Sequence, residues 1–298
     1  VKLVKPIAIV EAPSILGLRP TGVERLPGAL IRAGLLDRLH ARHAGRVSAP
    51  DYSDHRDIET GFLNPHGIAD YSRRLAERVE QVLQEGSFVL VLGGDCSILL
   101  GSMLALHRRG RHGLLFLDGH MDFYNREANV NGEAASSELA LVTGRGPALL
   151  TTYDGRCPLV EDEDVVPFGF RDEREAQSYG SQPLPTHMKA TSLREARRVG
   201  VAAAAREAVA HVSGQGEREF WIHFDADVLD DAIMPAVDYR IPDGLTWAEI
   251  EAVLGAALAD PSAAGMEVTI FNPALDTDGR ALSAFVDMLS NVFSTAKG

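Results

Sequence analysis

Apolar runs that end in Gly- or Asp-containing turns recur along the chain: PIAIVEAPS (6–14), FVLVLGGDCS (88–97), GLLFLDGHMD (113–122), VVPFGFRD (165–172), EFWIHFDADVLD (219–230) and GMEVTIFNP (265–273). Near-continuous apolar character over so few residues predicts strands buried on both faces. Between these runs the pattern switches to a helical period. Ile68, Tyr71, Leu75, Val79, Val82 and Leu83 recur near 3.6 residues across 66–86, and Gly86 suits the stop. Further helices are expected over 194–211, 245–259 and 279–296, the third opening on Thr246 with Glu249 at capping-box spacing. The polar stretch 173–192 reads as a surface connection. Strands alternating with helices indicate an α/β fold with a mainly parallel sheet covered on both faces. With no internal repeat or low-complexity linker, one domain over 1–298 is expected.

Hydrophilic residues cluster where the apolar runs stop. Asp95 and Cys96 follow FVLVLGG, Asp118, His120 and Asp122 follow LLFL, and Asp225 and Asp227 follow FWIHF. Ligands of open α/β sheets bind beyond the carboxyl ends of the strands. Positions i, i+2 and i+4 of a strand share a face, so extended segments would aim these side chains into one volume. An Asp after a strand also serves as a turn residue or helix N-cap. Several such groups together are costly unless a cation joins them. Carboxylates with an imidazole suit Mn²⁺, with Zn²⁺, Co²⁺, Ni²⁺ or Fe²⁺ as alternatives. Two such ions a few Å apart would activate a bridging water as a nucleophile.

Composition narrows the partners. Acidic residues outnumber basic ones 42 to 29, for a net charge of −13, which disfavours nucleic acid and anionic membrane. Cys96 and Cys157 are the only cysteines, so no disulfide framework is implied. The opening VKLVKPIAIV reads as a short strand rather than a signal peptide, and no apolar run approaches the length of a membrane span. A cytoplasmic protein acting on a small molecule is the expectation.

The motifs resemble those of the arginase/agmatinase (ureohydrolase) family, G-G-D-H-S, D-A-H-x-D and S-F-D-x-D, which read here GGDCS (93–97), DGHMD (118–122) and HFDAD (223–227). The similarity extends to 11–39, to GFRD (169–172), to MPAVDYRIPDGLTWAEI (234–250) and to IFNP (270–273), in the same order. The resemblance implies a three-layer α/β/α, arginase-like fold, a binuclear Mn²⁺ centre, and hydrolysis of a guanidinium or amidine C–N bond. It implies that Asp118 and Asp225 bridge two ions, that Asp122 and the residue at 96 complete one, and that His120 and Asp227 complete the other. It further implies a homo-oligomer, commonly a trimer or hexamer.

Departures from the family pattern bear on the chemistry. Cys96 stands where the family has a histidine ligand. It is either a thiolate donor, which tilts the metal preference towards Zn²⁺, Co²⁺ or Fe²⁺, or an uncoordinated buried thiol. Ile270 stands where the family's glutamate pairs with the guanidinium, and an aliphatic group cannot make that charge-assisted contact. Glu267, on the same run, is placed by alternation on the opposite face. Asn131 stands at the catalytic-loop histidine and cannot shuttle a proton. Nearby Glu133 is a candidate proton shuttle or cation partner, or an exposed loop residue. His223 alternates with Asp225 and Asp227, reaching the site or bonding beneath it. Asp238, Tyr239 and Arg240 occupy a loop of small residues in the family. Arg174 replaces an acidic substrate contact and would favour an anion. Two functions follow as expectations: a C–N hydrolase for a guanidino or amidine compound other than arginine, or a non-catalytic metal- or ligand-binding relative.

Overall fold

The computed structural model describes residues 5–297; positions 1–4 of the expected opening strand lie outside the described residues. The strands are β1 (Ile7–Glu11), β2 (Arg42–Arg46), β3 (Phe88–Leu92), β4 (Gly113–Leu117), β5 (Val165–Phe168), β6 (Phe220–Asp225) and β7 (Ala263–Thr269). Among the described residues they form one sheet in the order β2-β1-β3-β7-β6-β4-β5, with every pair parallel. All carboxyl ends therefore lie along one edge of the sheet.

Strand alternation divides the core between two faces. Phe88, Leu90 and Leu92 of β3 and Phe220, Ile222 and Phe224 of β6 pack in one cluster with helices Leu26–Arg32, Leu193–Val199, Val201–Val212, Trp247–Ala259 and Arg280–Lys297. Val89, Val91 and Trp221 pack in the other with helices Pro65–Gln84, Leu99–His107 and Glu138–Val142. This is the three-layer α/β/α arrangement expected. The full burial of β3 and β4 explains why their sequences carry no alternation.

The departures from expectation have local causes. β2 (RHAGR) buries only Ala44, so no apolar run announces it. As the strand that ends the sheet, it carries charged side chains that discourage pairing with another chain. Gly200, at φ 93°, breaks the helix expected over 194–211 into two. The connection 173–192 contains a short helix, Glu173–Ser178. β4 ends at Leu117, Asp122 adopts φ 44°, and β6 gives way after Asp225 to a 3₁₀ turn, Ala226–Val228. The two Asp-rich motifs thus do not stay extended, and turns rather than strand alternation bring their side chains together.

Thr246 caps the helix Trp247–Ala259, accepting from the Glu249 amide at 3.2 Å, while Glu249 accepts from the Thr246 amide at 2.9 Å. Thr246→Ala is expected to cost about 1 kcal/mol, read as a lower midpoint in chemical denaturation. An unchanged midpoint would mean that tertiary packing alone holds this helix end.

Candidate metal centre

Turn geometry at the ends of β3, β4 and β6 builds the site. A Cβ on Gly94 would lie 1.8 Å from the Ser14 carbonyl oxygen, so only glycine permits this approach. The approach seats Asp95, which accepts from Ser14 Oγ at 2.7 Å and from the Ser97 amide at 2.9 Å. Asp95 thereby caps a 3₁₀ turn and aims Cys96 inward. The buried Cys96 Sγ donates to Asp225 Oδ2 at 2.8 Å and lies 3.2 Å from Thr269 Oγ1. Burial, then the Asp225 charge, pushes its thiol pKa well up.

Asp118 Oδ1 accepts from the His120 amide at 2.6 Å, which folds the DGHMD segment back on itself. His120 Nδ1 then sits 3.0 Å from Asp227 Oδ2 and 3.6 Å from Asp118 Oδ1. Asp225 Oδ1 accepts from the Asp227 amide at 2.7 Å, and Asp227 Oδ1 from the Gly119 amide at 3.1 Å. Arg171, from GFRD, clamps the 226–242 loop by donating to the carbonyls of Asp227, Leu229, Ile241 and Pro242. Its guanidinium is spent on backbone.

Among the described residues, two groups of side chains hold ligand atoms within 4.8 Å of one another: Asp118, His120 and Asp227, and Cys96, Asp118, Glu138 and His223. Asp118 is common to both. Asp122 and Asp225 belong to neither group, although both line the same cavity. Burial, reinforced by neighbouring carboxyls, pushes Asp118, Asp122, Asp225 and Glu138 above the usual carboxylate range. His120 is pulled down by burial but more strongly raised by Asp227 and Asp118. Carboxyls crowded with an imidazole and a thiol in a dry cluster are the groups a divalent cation would draw in as ligands. The donor set therefore fits metal.

A cavity of ≈310 Å³ opens over His120, Asp122, Asp225 and Asp227, with Ile270 in its wall. Asn131 and Tyr239 line it too, and Glu133 stands behind them. Glu133 is only 1% exposed, accepts from Tyr239 Oη at 3.0 Å and from Asn131 Nδ2 at 2.5 Å, and lies 3.9 Å from Arg19 Nε. It is therefore a buried brace between two walls. Burial raises its pKa. Asp238 accepts from Thr21 Oγ1 at 2.7 Å and from Asn272 Nδ2 at 3.0 Å, away from the lining. Arg174 is exposed and outside the lining, whereas Glu175 of the same helix and Tyr179 just after it line the cavity with Asp172. Among the described residues no Arg or Lys lines it, so the anion preference expected from Arg174 has no counterpart there.

Glu267 lies on the inner side, as alternation placed it, with His223 Nδ1 2.7 Å from its Oε1. Glu138 was not anticipated. The one available signal was an acidic residue opening the apolar ELALV, which reads as a helix start. Tyr124, Tyr179 and Glu175 carried no motif at all.

The Arginase family profile matches residues 5–294. Arginase from Bacillus caldovelox is 29% identical over 97% of this chain and 98% of its own length. Human arginase-1 is 28% identical over 91% of this chain and 86% of its own. The solved structure of the Bacillus caldovelox arginase superposes with a TM-score of 0.84 at 28% identity, covering 97% of this chain and 98% of that one.

Because Asp118 belongs to both donor groups, Asp118→Ala is expected to abolish tight divalent-metal binding at each. Metal content after dialysis, measured by plasma mass spectrometry, checks this. Full occupancy in the variant would remove Asp118 from the centre.

Proposed function

The chain belongs to the arginase family, and from that premise we propose that it is a metal-dependent hydrolase of a C–N bond in a small guanidino or amidine compound other than arginine. The convergence of Asp118 with His120 and Asp227, the last two lining a cavity with Ile270 in its wall, carries this reading. By resemblance it would use two divalent ions, with Mn²⁺ the family's choice and Zn²⁺, Co²⁺, Ni²⁺ or Fe²⁺ admitted by a thiolate at Cys96. By the same reading it works in the cytoplasm as a homo-oligomer.

Bound divalent ions supply Lewis acidity and lower the pKa of water at this floor. The chain's own groups do the rest. Asp118, His120 and Asp227 would hold one such ion. Ile270 packs against the reacting group without offering it a counter-charge, which disfavours a strongly cationic guanidinium. Asn131, fixed by Glu133, is a hydrogen-bonding contact for the polar end of the substrate. Water adds to the planar carbon, the C–N bond breaks, and the departing nitrogen takes up a proton. Asn131 cannot deliver that proton, whereas the lining carboxyls Asp172 and Glu175 and the hydroxyls of Tyr124, Tyr179 and Tyr239 can. A wall of tyrosines suits a substrate with a flat or apolar portion.

A non-catalytic ligand-binding reading is favoured by one contact, the hydrogen bond from Cys96 to Asp225, which would leave that part of the site closed without metal. Metal content separates the readings. The enzyme is expected to retain two ions per chain after dialysis, and the non-catalytic relative one or none.

The direct test measures urea and ammonia release from guanidino, ureido and formimino compounds after loading with Mn²⁺, Zn²⁺, Co²⁺ or Ni²⁺. Turnover of at least one of them above the metal-free protein is expected; no turnover across the panel overturns the enzymatic reading. If Ile270 excludes the guanidinium by withholding a counter-charge, Ile270→Glu should raise kcat/KM for arginine or agmatine about tenfold or more, the worth of one charge-assisted contact. Unchanged turnover of both would remove this residue as the discriminator.

A further inference from the structure

Below the cavity floor lies a donor set that joins one residue from each of the three motif segments to Glu138, which lies in none of them. Cys96 follows β3, Asp118 follows β4, His223 lies within β6, and Glu138 opens the helix Glu138–Val142. Each offers one ligand atom within 4.8 Å of the others, and each residue is at most 1% exposed. Asp118 Oδ2 and His223 Nε2 are buried without a hydrogen-bond partner among the described residues, and both Glu138 carboxylate oxygens are buried with the Asp122 carboxyl beside them and no donor from another residue type. Leaving one such group unsatisfied costs roughly 1–3 kcal/mol, and more when it is charged. Three such groups in one small volume call for a shared partner.

His223 is oriented as a ligand. Its Nδ1 lies 2.7 Å from Glu267 Oε1, and Ser102 Oγ donates to the other oxygen of the same carboxylate. With the Nδ1 proton directed at Glu267, Nε2 presents a lone pair towards Asp118. Phe116 stacks on the ring at 4.7 Å and 11°, which fixes its plane. A carboxylate behind an imidazole is the arrangement that sets the tautomer and aim of metal-ligating histidines. The 3.9 Å between His223 Nε2 and Asp118 Oδ2 is too long for a hydrogen bond. Donors each about 2.0–2.2 Å from one ion can be no more than about 4.4 Å apart, so this separation admits a shared ion.

We propose that Cys96, Asp118, Glu138 and His223 form a closed divalent-metal site, with Asp118 shared between it and the cavity-facing ion at His120 and Asp227. The histidine missing at position 96 is thus replaced by one from β6, which lies beyond β7 from β3 in the sheet. The sulfur, imidazole and two carboxylates suit Zn²⁺, Co²⁺ or Fe²⁺ better than Mn²⁺. Cys96, Glu138 and His223 are absent from the cavity lining, where His120, Asp122, Asp225 and Asp227 appear. One ion therefore faces substrate, while the other is enclosed by protein. This inference rests on the metal-dependent reading above.

Cobalt loading tests it. The wild-type chain should take up two Co²⁺ and show thiolate-to-cobalt charge-transfer absorption. His223→Gln and Glu138→Gln should each fall to one Co²⁺ per chain and lose that absorption. His120→Gln should also fall to one ion but keep it. Two ions and unchanged absorption in both His223→Gln and Glu138→Gln would overturn this site while leaving metal dependence intact. A wild-type chain that binds no Co²⁺ would overturn both. X-ray absorption of the wild-type chain with two equivalents of Zn²⁺ needs no variant to fold. A sulfur neighbour at about 2.3 Å of zinc is expected, and an oxygen- and nitrogen-only shell would overturn the assignment.

Discussion

Six carboxyl groups, Asp118, Asp122, Asp225, Asp227, Glu138 and Glu267, are buried to less than 8% exposure around the carboxyl ends of β4, β6 and β7. That concentration of potential negative charge in a dry volume is the constraint on which the rest of this end of the molecule depends. Ionised together without cations they would repel strongly. His120 and His223 are the imidazoles within the cluster, while Arg171 beside it is occupied by backbone carbonyls. The glycine turn at 93–94, the folded-back DGHMD segment and the Arg171 clamp all hold carboxyls close rather than letting them separate. Such an arrangement is stable when cations belong to the fold.

Much of the fold was legible because buried parallel strands and amphipathic helices leave strong apolar signatures. β2 left none, since an edge strand with one buried residue has no apolar run to show. The break at Gly200 depended on a positive φ, and a glycine in a helical pattern does not announce one. The candidate site was legible in its membership more than in its means. Alternation brought Asp118, His120 and Asp122 together on paper, whereas a turn with Asp122 at φ 44° does so in the molecule. Glu138 escaped because it follows two serines as an ordinary helix start would, and its partners come from three other segments. Only the sheet order makes it adjacent to Cys96 and His223.

The departures from the family pattern are physically connected. The imidazole missing at 96 is matched by one at 223, held by Glu267 and Ser102. The imidazole missing at 131 is matched by a buried carboxyl at 133, which ties Asn131 to Tyr239. The side chains at 96 and 131 are thus both held by hydrogen bonds, Cys96 to Asp225 and Asn131 to Glu133.

Ile270 adopts φ 68°, a conformation that β-branched residues strongly avoid, and its amide donates to the Gly94 carbonyl at 2.9 Å. The backbone at this point is therefore dictated by the neighbouring turn, not by the side chain it carries. Whatever residue occupies the position is aimed into the same wall of the cavity. The scaffold thus works like a fixed socket: the chemical character of what it grips can change by exchanging one side chain, with the aim already guaranteed by the turn beside it.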